Sequence, residues 1–178
     1  MPYLKTHFEE NVLQELMKTR GYANRHEVPQ IEKIVINSGV GTSLDKSAVD
    51  ETAAEIALLA GQKAIVTMSR KSISNFKLRE GYPVGVKVTL RGNSMYEFLY
   101  RLLSVALPGI RDFRGVPTRL DGHGNFNLGI VDHTIFPEVN MDSKRRTIGM
   151  DITIVTTAQS DEEGTSLLEL MGMPFRKR

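Results

Sequence analysis

The stretch VGVKVTL, Val84 to Leu90, decides the fold class because apolar residues take every second position in it. The apolar positions are Val84, Val86, Val88 and Leu90, and the positions between them are Gly85, Lys87 and Thr89. Successive side chains of a strand point to opposite faces of its sheet. The pattern therefore predicts a strand with one buried face and one open face that carries basic and hydrogen-bonding groups.

The segments around this strand predict a mixture of helices and further strands. Apolar spacing predicts helices over Tyr3–Arg20, Asp45–Ala60, Ser94 to about Leu107, and Ser160 to Gly172. The other predicted strands are Ile31–Asn37, Ala64–Met68, Phe126–Val131 and Ile148–Thr156. The pairs Ser94 with Glu97 and Ser160 with Glu163 have the spacing of a capping box. This order predicts an α+β fold in a single domain over 1–178, with an antiparallel or mixed sheet and helices packed on one face.

The composition is that of an ordinary globular protein from a reducing compartment. The chain has 178 residues, 40% hydrophobic and 25% charged residues, and no cysteine, which excludes disulfides and thiolate metal sites. The N-terminal segment MPYLKTHFEENV lacks the basic and apolar regions of a signal peptide. No apolar run reaches 18 residues, so we expect a cytoplasmic protein with no membrane partner.

The positive charge is concentrated in one region. Between Gln62 and Arg91 there are seven basic residues and one acid, Glu80, which leaves −4 for the rest of a chain whose net charge is +2. The basic residues are Lys63, Arg70, Lys71, Lys77, Arg79, Lys87 and Arg91. Such asymmetry favours a polyanionic partner on one face, and a basic surface that is merely solvated is the alternative.

A long basic segment, SRKSISNFKLREGYP from Ser69 to Pro83, shows no period of its own. We expect a loop without secondary structure, and a loop of this length inside a compact domain is typically functional or disordered. Four cations alternate here with Phe76 and Tyr82, a mixture that favours contact with RNA. The alternative is that the two aromatic rings hold the loop on the core.

The stretch VINSGVGTSLDKS, Val35 to Ser47, resembles a nucleotide-binding loop at first sight. Asp45 occupies the position of the last glycine of a P-loop, and Leu44 that of the third glycine of a dinucleotide-binding motif. Both nucleotide hypotheses are therefore weak, and the glycines predict a turn that needs positive φ. A nucleotide-dependent enzyme and a sequence-independent RNA chaperone remain the alternative hypotheses to specific RNA binding.

Candidates for catalysis or metal binding are few. His123 and His133 lack the spacing of metal ligands, and no catalytic residues, metal or cofactor are predicted. A second basic turn contains Arg111 and Arg114. Further basic clusters lie at 144–146 and 176–178.

The stretch GQKAIVTMSRKSISNFKLREGYPVGVKVTLRG, with KIVINSGVG before it and GIRDFRGVP after it, closely resembles the bacterial large-subunit ribosomal protein five family, the 5S rRNA-binding proteins. The later segments DGHGNFNLGI, IFPEV, GMDITIVTTAQSDEEG and MPFRKR fit the same family. The resemblance covers essentially the whole chain.

The resemblance implies a structural component of the central protuberance of the large ribosomal subunit, with an antiparallel sheet and helices on one side. The implied partners are 5S rRNA, 23S rRNA, P-site tRNA, small-subunit ribosomal protein thirteen and other 5S rRNA-binding ribosomal proteins. The implied 5S rRNA-binding residues are Asn37, Gly39, Gly41, Gln62, Lys63, Thr67, Arg70, Thr89 and Arg91. The implied tRNA-contacting loop contains Lys71, Ser72, Asn75, Phe76, Lys77, Arg79 and Tyr82. Arg111 and Arg114 are the implied contacts to 23S rRNA or to the intersubunit bridge.

Overall fold

Five strands form one open antiparallel sheet in this computed structural model, which describes residues 1–41, 46–139 and 146–176. The strands are β1 (Ile31–Gly39), β2 (Ile65–Met68), β3 (Pro83–Leu90), β4 (Phe126–Ile130) and β5 (Met150–Thr156). Their order in the sheet is β2-β3-β1-β5-β4, so β2 and β4 are the edge strands. The predicted α+β fold is confirmed.

Four helices accompany the sheet. Helix α1 consists of the α-helical segments Tyr3–His7 and Leu13–Arg20 with a π-helical turn, Phe8–Val12, between them. Helix α2 spans Lys46–Ala60, α3 spans Gly92–Arg101 and continues as a π-helical turn over Leu102–Ala106, and α4 spans Asp161–Leu170. Short 3-10 turns lie at Arg25–Glu27, Ser74–Phe76 and His133–Ile135.

The start of α3 corrects one prediction. The proposed capping box of Ser94 with Glu97 is wrong, because the helix begins at Gly92 and its N-cap residue is Arg91, with no side-chain cap. Gly92 takes φ +60, a conformation that glycine adopts without strain, so the chain turns into the helix two residues earlier than Ser94. Of the second predicted box, the Ser160 half is confirmed, since its side chain accepts a hydrogen bond from the Glu163 amide, whereas the Glu163 side chain accepts from the Gln159 amide.

The chain divides into two compact units. The first unit contains residues 1–34, 91–128 and the chain from Thr153 onward. The second contains 35–90 and 129–152, and therefore the strand β3, the helix α2 and the basic segment between β2 and β3.

Helix α2 packs on β3 within the second unit, and this contact buries one side of the strand. Val86, Val88 and Leu90 are at most 2% exposed, whereas Lys87 is exposed. Strand β3 pairs with β2 so that Ile65 lies opposite Lys87 and Thr67 opposite Gly85. Because directly opposed residues share a face, the polar positions of both strands lie on the same side of the sheet.

In the first unit, α4 lies unusually close to the turn that precedes β4. A Cβ atom at Gly164 would lie 2.6 Å from the carbonyl oxygen of Gly124 and 2.8 Å from Leu120 Cδ2. The same turn is held by Asp161, whose Oδ1 accepts hydrogen bonds from the Gly122 and Gly124 amides at 2.9 and 3.0 Å. Glycine at 164 is therefore required by packing and not by backbone conformation.

We expect Gly164→Ala to lower the free energy of unfolding by about 1–3 kcal/mol, because the added methyl group overpacks a contact with the backbone. In an ordinary helix the same substitution raises the free energy of unfolding by up to about 1 kcal/mol, so a decrease would show that the packing contact outweighs helix propensity. Urea unfolding followed by circular dichroism measures it. The control is Gly39→Ala, whose Cβ would meet nothing within 4 Å and which should change stability by less than about 0.5 kcal/mol. An unchanged or raised stability of Gly164→Ala would contradict the packing.

Candidate nucleic-acid interface

The second unit presents one polar side of β1, β2 and β3, which we call the open sheet face. It contains Val35, Asn37, Gly39, Ile65, Thr67, Gly85, Lys87 and Thr89. On β1 the alternation is set by Ile34 and Ile36, which are at most 1% exposed and place Asn37 on the opposite, exposed side. The face therefore combines amide, hydroxyl and ammonium groups on neighbouring strands.

Two glycines lie next to each other on this face, and of these Gly39 is exposed whereas Gly85 is buried against β1. A Cβ at Gly85 would lie 3.6 Å from the Gly39 Cα, 3.1 Å from Thr67 Oγ1 and only 2.6 Å from the Ser38 carbonyl oxygen. Any side chain at Gly85 would thus collide with β1, whereas a side chain at Gly39 would project into open space. We call this pair the glycine floor: Gly85 lets β3 pack closely on β1, and Gly39 leaves main chain beside Asn37 that another molecule can approach closely.

The end of α2 brings further predicted residues to this region. Gly61, at φ +65, ends the helix, and Gln62 Nε2 then donates a hydrogen bond to the Thr89 carbonyl oxygen at 3.4 Å. Lys63 follows and is exposed. Gln62 therefore anchors the connection between α2 and β2 on β3, while its neighbour Lys63 presents a charge to solvent.

The cations between Gln62 and Arg91 are available to an external anion. Among the described residues, none of the seven forms an ion pair or a side-chain hydrogen bond. Elsewhere the chain does pair its charges, as in the 3.5 Å contact of Arg20 with Glu162. Unpaired exposed cations on one region raise the local positive potential and suit a phosphate backbone.

The basic segment between β2 and β3 is more ordered than the sequence predicted. The Ser69 amide donates to the Tyr82 carbonyl at 2.8 Å, and the Gly81 amide donates to the Ser69 carbonyl at 3.0 Å. Further out, Ile73 and Leu78 exchange two hydrogen bonds of 2.9 and 3.1 Å. The expectation of a loop without secondary structure is therefore wrong: the segment extends the β2–β3 hairpin.

The tip of this hairpin carries charge and an exposed ring. A 3-10 turn, Ser74–Phe76, is followed by Lys77 in the left-handed region at φ 51. The hydroxyl of Ser72 accepts a hydrogen bond from the Glu80 amide at 3.0 Å, which braces the hairpin below its tip. Phe76 is 64% exposed, so its ring does not hold the segment on the core.

The structure brings together part of the predicted set. Asn37, Gly39, Thr67 and Thr89 lie on the open sheet face, whereas Arg70 and the tRNA-contacting loop of the prediction lie past the far end of β2. Arg91 directly follows β3 in sequence but is counted in the first unit. Gly41 has φ +79 and ends the described part of its turn.

Other predicted positions lie elsewhere or outside the described residues. Arg111 and Arg114 are exposed in the first unit, on either side of Asp112, which has φ 57. The positions outside the described residues are Leu44, Asp45, Lys144, Arg145, Lys177 and Arg178.

Four residues of the open sheet face were absent from the predicted binding set, namely Val35, Ile65, Gly85 and Lys87. Lys87 is exposed beside the glycine floor, and the alternation of β3 was the signal that locates it. Ile65, opposite Lys87, is 70% exposed. This exposure could not be predicted from the sequence, because an apolar residue in a short strand is normally expected to be buried.

His133 serves the fold, since both of its ring nitrogens face groups of the protein interior. His133 is fully buried: its Nδ1 accepts from the Ile148 amide at 3.2 Å, and its Nε2 lies 2.5 Å from Glu55 Oε2. Within residues 1–41, 46–139 and 146–176, no three His, Asp or Glu side chains are grouped to hold a metal ion. Over the same residues, every helix is too short or too polar to cross a bilayer.

An antiparallel sheet whose open face carries a lysine, amide and hydroxyl groups and exposed main chain, next to a hairpin with unpaired cations, is typical of proteins that bind RNA. Comparison with known families agrees with this class. A family model described as ribosomal protein L5 matches residues 24–79, and a second model, described as the C-terminus of the same ribosomal protein family, matches residues 83–175.

Curated relatives match over nearly the full length of the chain. The large ribosomal subunit protein uL5 of Thermosipho melanesiensis is 52% identical over 177 residues, which cover 98% of this chain and 97% of the relative. The uL5 proteins of Thermosipho africanus and Thermotoga maritima are each 52% identical over 176 residues, covering 98% of this chain and 97% and 96% of those relatives. The chain therefore belongs to the ribosomal protein uL5 family, and it is a structural, non-enzymatic component of the large ribosomal subunit.

The hairpin between β2 and β3 should be ordered in the free protein. We expect the amides of Ile73, Leu78 and Gly81 to exchange with solvent at least about tenfold more slowly than those of Lys71 and Asn75, because only the former donate to backbone carbonyls. Amide exchange measured by NMR without RNA tests this. Equally fast exchange at all five amides would contradict the hairpin.

Proposed function

We propose that this chain binds 5S rRNA through the open sheet face and helps attach that RNA to the large subunit. Membership of the uL5 family implies rRNA and ribosomal proteins as partners in general. The observation that carries the finer proposal is the glycine floor at Gly39 and Gly85, bordered by exposed Asn37 and Lys87. The resemblance described above implies the same RNA for most of these positions.

Cations and neutral polar groups of the second unit have different roles in this proposal. Lys87 on the face and Lys63 after α2 meet phosphates, which supplies affinity that depends on salt and little on sequence. Asn37 and Thr67 offer neutral donors and acceptors next to bare backbone, where ribose and base edges come within hydrogen-bond distance. Recognition of one particular RNA therefore depends on the floor more than on the cations.

The basic hairpin has a separate partner in this proposal. Its exposed cations, Lys71, Lys77 and Arg79, and the exposed ring of Phe76 contact the elbow of the P-site tRNA. A braced hairpin with a charged tip supports this role, because it holds phosphate-binding groups at a distance from the sheet.

Arg111 and Arg114 provide a further contact, to 23S rRNA or to small-subunit ribosomal protein thirteen at the intersubunit bridge. Both guanidinium groups are exposed, and within the described residues neither pairs with an acid. We also retain the prediction that residues 1–178 act as one ribosomal protein domain without a cofactor.

A titration with 5S rRNA and with an unrelated RNA of equal length, at moderate and high salt, tests the proposal. We expect at least about a hundredfold preference for 5S rRNA that persists at high salt. Lys87→Ala should reduce the slope of log affinity against log salt by about 0.7–0.9, because one phosphate contact is lost. Asn37→Ala should lower the affinity about tenfold and leave the salt slope unchanged.

The matched control is Lys18→Ala, which removes the same charge from an exposed position of α1 in the first unit. It should change neither the affinity nor the slope. If Lys18→Ala and Lys87→Ala act equally, the open sheet face is not the binding surface. Equal affinity for both RNAs would instead support the alternative of a sequence-independent RNA chaperone.

A further inference from the structure

A groove in the first unit is lined by cations, a carboxylate and apolar side chains, none of which belongs to the residues of the open sheet face. It measures about 370 Å³, within the range of about 300–1,000 Å³ that ligand pockets occupy. Its floor is apolar and aromatic, formed by the buried side chains of Phe8, Leu13, Val28 and Tyr96. All of its lining residues belong to the first unit.

The π-helical turn of α1 shapes this floor. The Leu13 amide donates to the Phe8 carbonyl, five residues earlier, which widens the helix at this turn. Phe8 and Leu13 would diverge by well over a quarter turn on a regular α-helix, and the wider turn brings them onto the same side. Turns of this kind recur at functional sites, since they cost regular hydrogen bonding.

The rim of the groove carries two cations and an imidazole that are unpaired within the described chain. Lys5, Arg25 and His26 line it, and none of them forms an ion pair with a described acid. One carboxylate, Glu9, lies among them without pairing to Lys5 one helical turn away. Arg25 and His26 are presented on a 3-10 turn that a capping box between Asn24 and Glu27 holds in place.

The floor also contains one hydroxyl group that can donate a hydrogen bond. Burial, and then the negative charge of Glu9, raise the pKa of Tyr96, so its hydroxyl stays protonated at neutral pH. Glu9 can only accept hydrogen bonds when it is ionised. The groove thus offers cations for a phosphate, an aromatic floor for a ring, and one carboxylate for adjacent N–H donors.

We propose that this groove binds one unstacked nucleotide of ribosomal RNA, with guanine preferred. The base lies on the floor formed by Phe8 and Tyr96, and its phosphate is bound by Lys5, Arg25 and His26. Guanine is preferred because its Watson–Crick edge presents two neighbouring N–H donors to the Glu9 carboxylate, whereas uracil presents one. RNA loops characteristically present such splayed bases to aromatic surfaces. The side-chain carboxylates of an acidic peptide would pair with the cations, but they carry no hydrogen-bond donor for the Glu9 carboxylate.

NMR titration of the intact chain with GMP, UMP and inorganic phosphate tests the proposal, with the methyl signals of Val28 and Leu13 as the readout. We expect GMP to shift both and to bind at least about fivefold more tightly than UMP. Arg25→Ala should weaken GMP binding at least about fivefold, whereas Arg119→Ala, the loss of another exposed arginine of the first unit, should not. Glu9→Gln should abolish the preference for GMP over UMP and keep the response to Arg25→Ala.

Three outcomes would overturn the inference. If GMP leaves the Val28 and Leu13 signals unmoved, the groove is not a nucleotide site. If inorganic phosphate binds as tightly as GMP, the rim is an anion patch only. If a glutamate-rich peptide binds there more tightly than GMP, the partner is an acidic protein segment. None of the variants alters the open sheet face, so the 5S rRNA titration is unaffected by any of these results.

Discussion

The two-residue period of β3 is the constraint on which the rest of the second unit depends. Val86, Val88 and Leu90 are buried under α2, and this burial forces Lys87 and Thr89 to the other side. A slip of one residue would bury the Lys87 ammonium group and expose the apolar side chains, and each of these changes would lower the stability of the fold. The register therefore fixes the polar face at the same time as it fixes the core.

Two acids of the first unit are held by internal hydrogen bonds. The Asp121 carboxylate accepts from the Asn125 side chain at 2.7 Å, and Glu163 accepts from the Gln159 amide at 3.0 Å. These hydrogen bonds hold the pKa of Asp121 and of Glu163 below their ordinary values. Both groups therefore stabilise the fold at neutral pH, and that stabilisation is lost as the pH falls through their lowered pKa values. The cations between Gln62 and Arg91 have no such internal partners within the described residues, which leaves their charge for another molecule.

Sequence patterns predicted the elements well where packing sets the period. The alternation of β3, the spacing of α1 and the cap at Ser160 are local consequences of burial and hydrogen bonding, and each was confirmed. The start of α3 was missed because the positive φ of Gly92 outweighs the capping potential of Ser94.

The site was harder to predict than the elements. The order of the basic hairpin depends on backbone pairing between Ile73 and Leu78, which no side-chain period reveals. The π-helical turn at Phe8–Val12 and the glycine floor arise from contacts between elements that are distant in sequence. The concentration of positive charge could be predicted, because it depends only on the number of basic and acidic residues between Gln62 and Arg91.

The most direct measurement of the central claim is the 5S rRNA affinity of Gly39→Val. The new side chain meets nothing within 4 Å at its Cβ and needs no positive φ, so stability by urea unfolding should change by less than about 0.5 kcal/mol. It would nevertheless stand on the glycine floor where RNA must come close. We predict at least about a tenfold loss of 5S rRNA affinity with an unchanged salt slope. Full affinity in a stably folded Gly39→Val variant would contradict the claim that RNA binds against the bare backbone of this sheet.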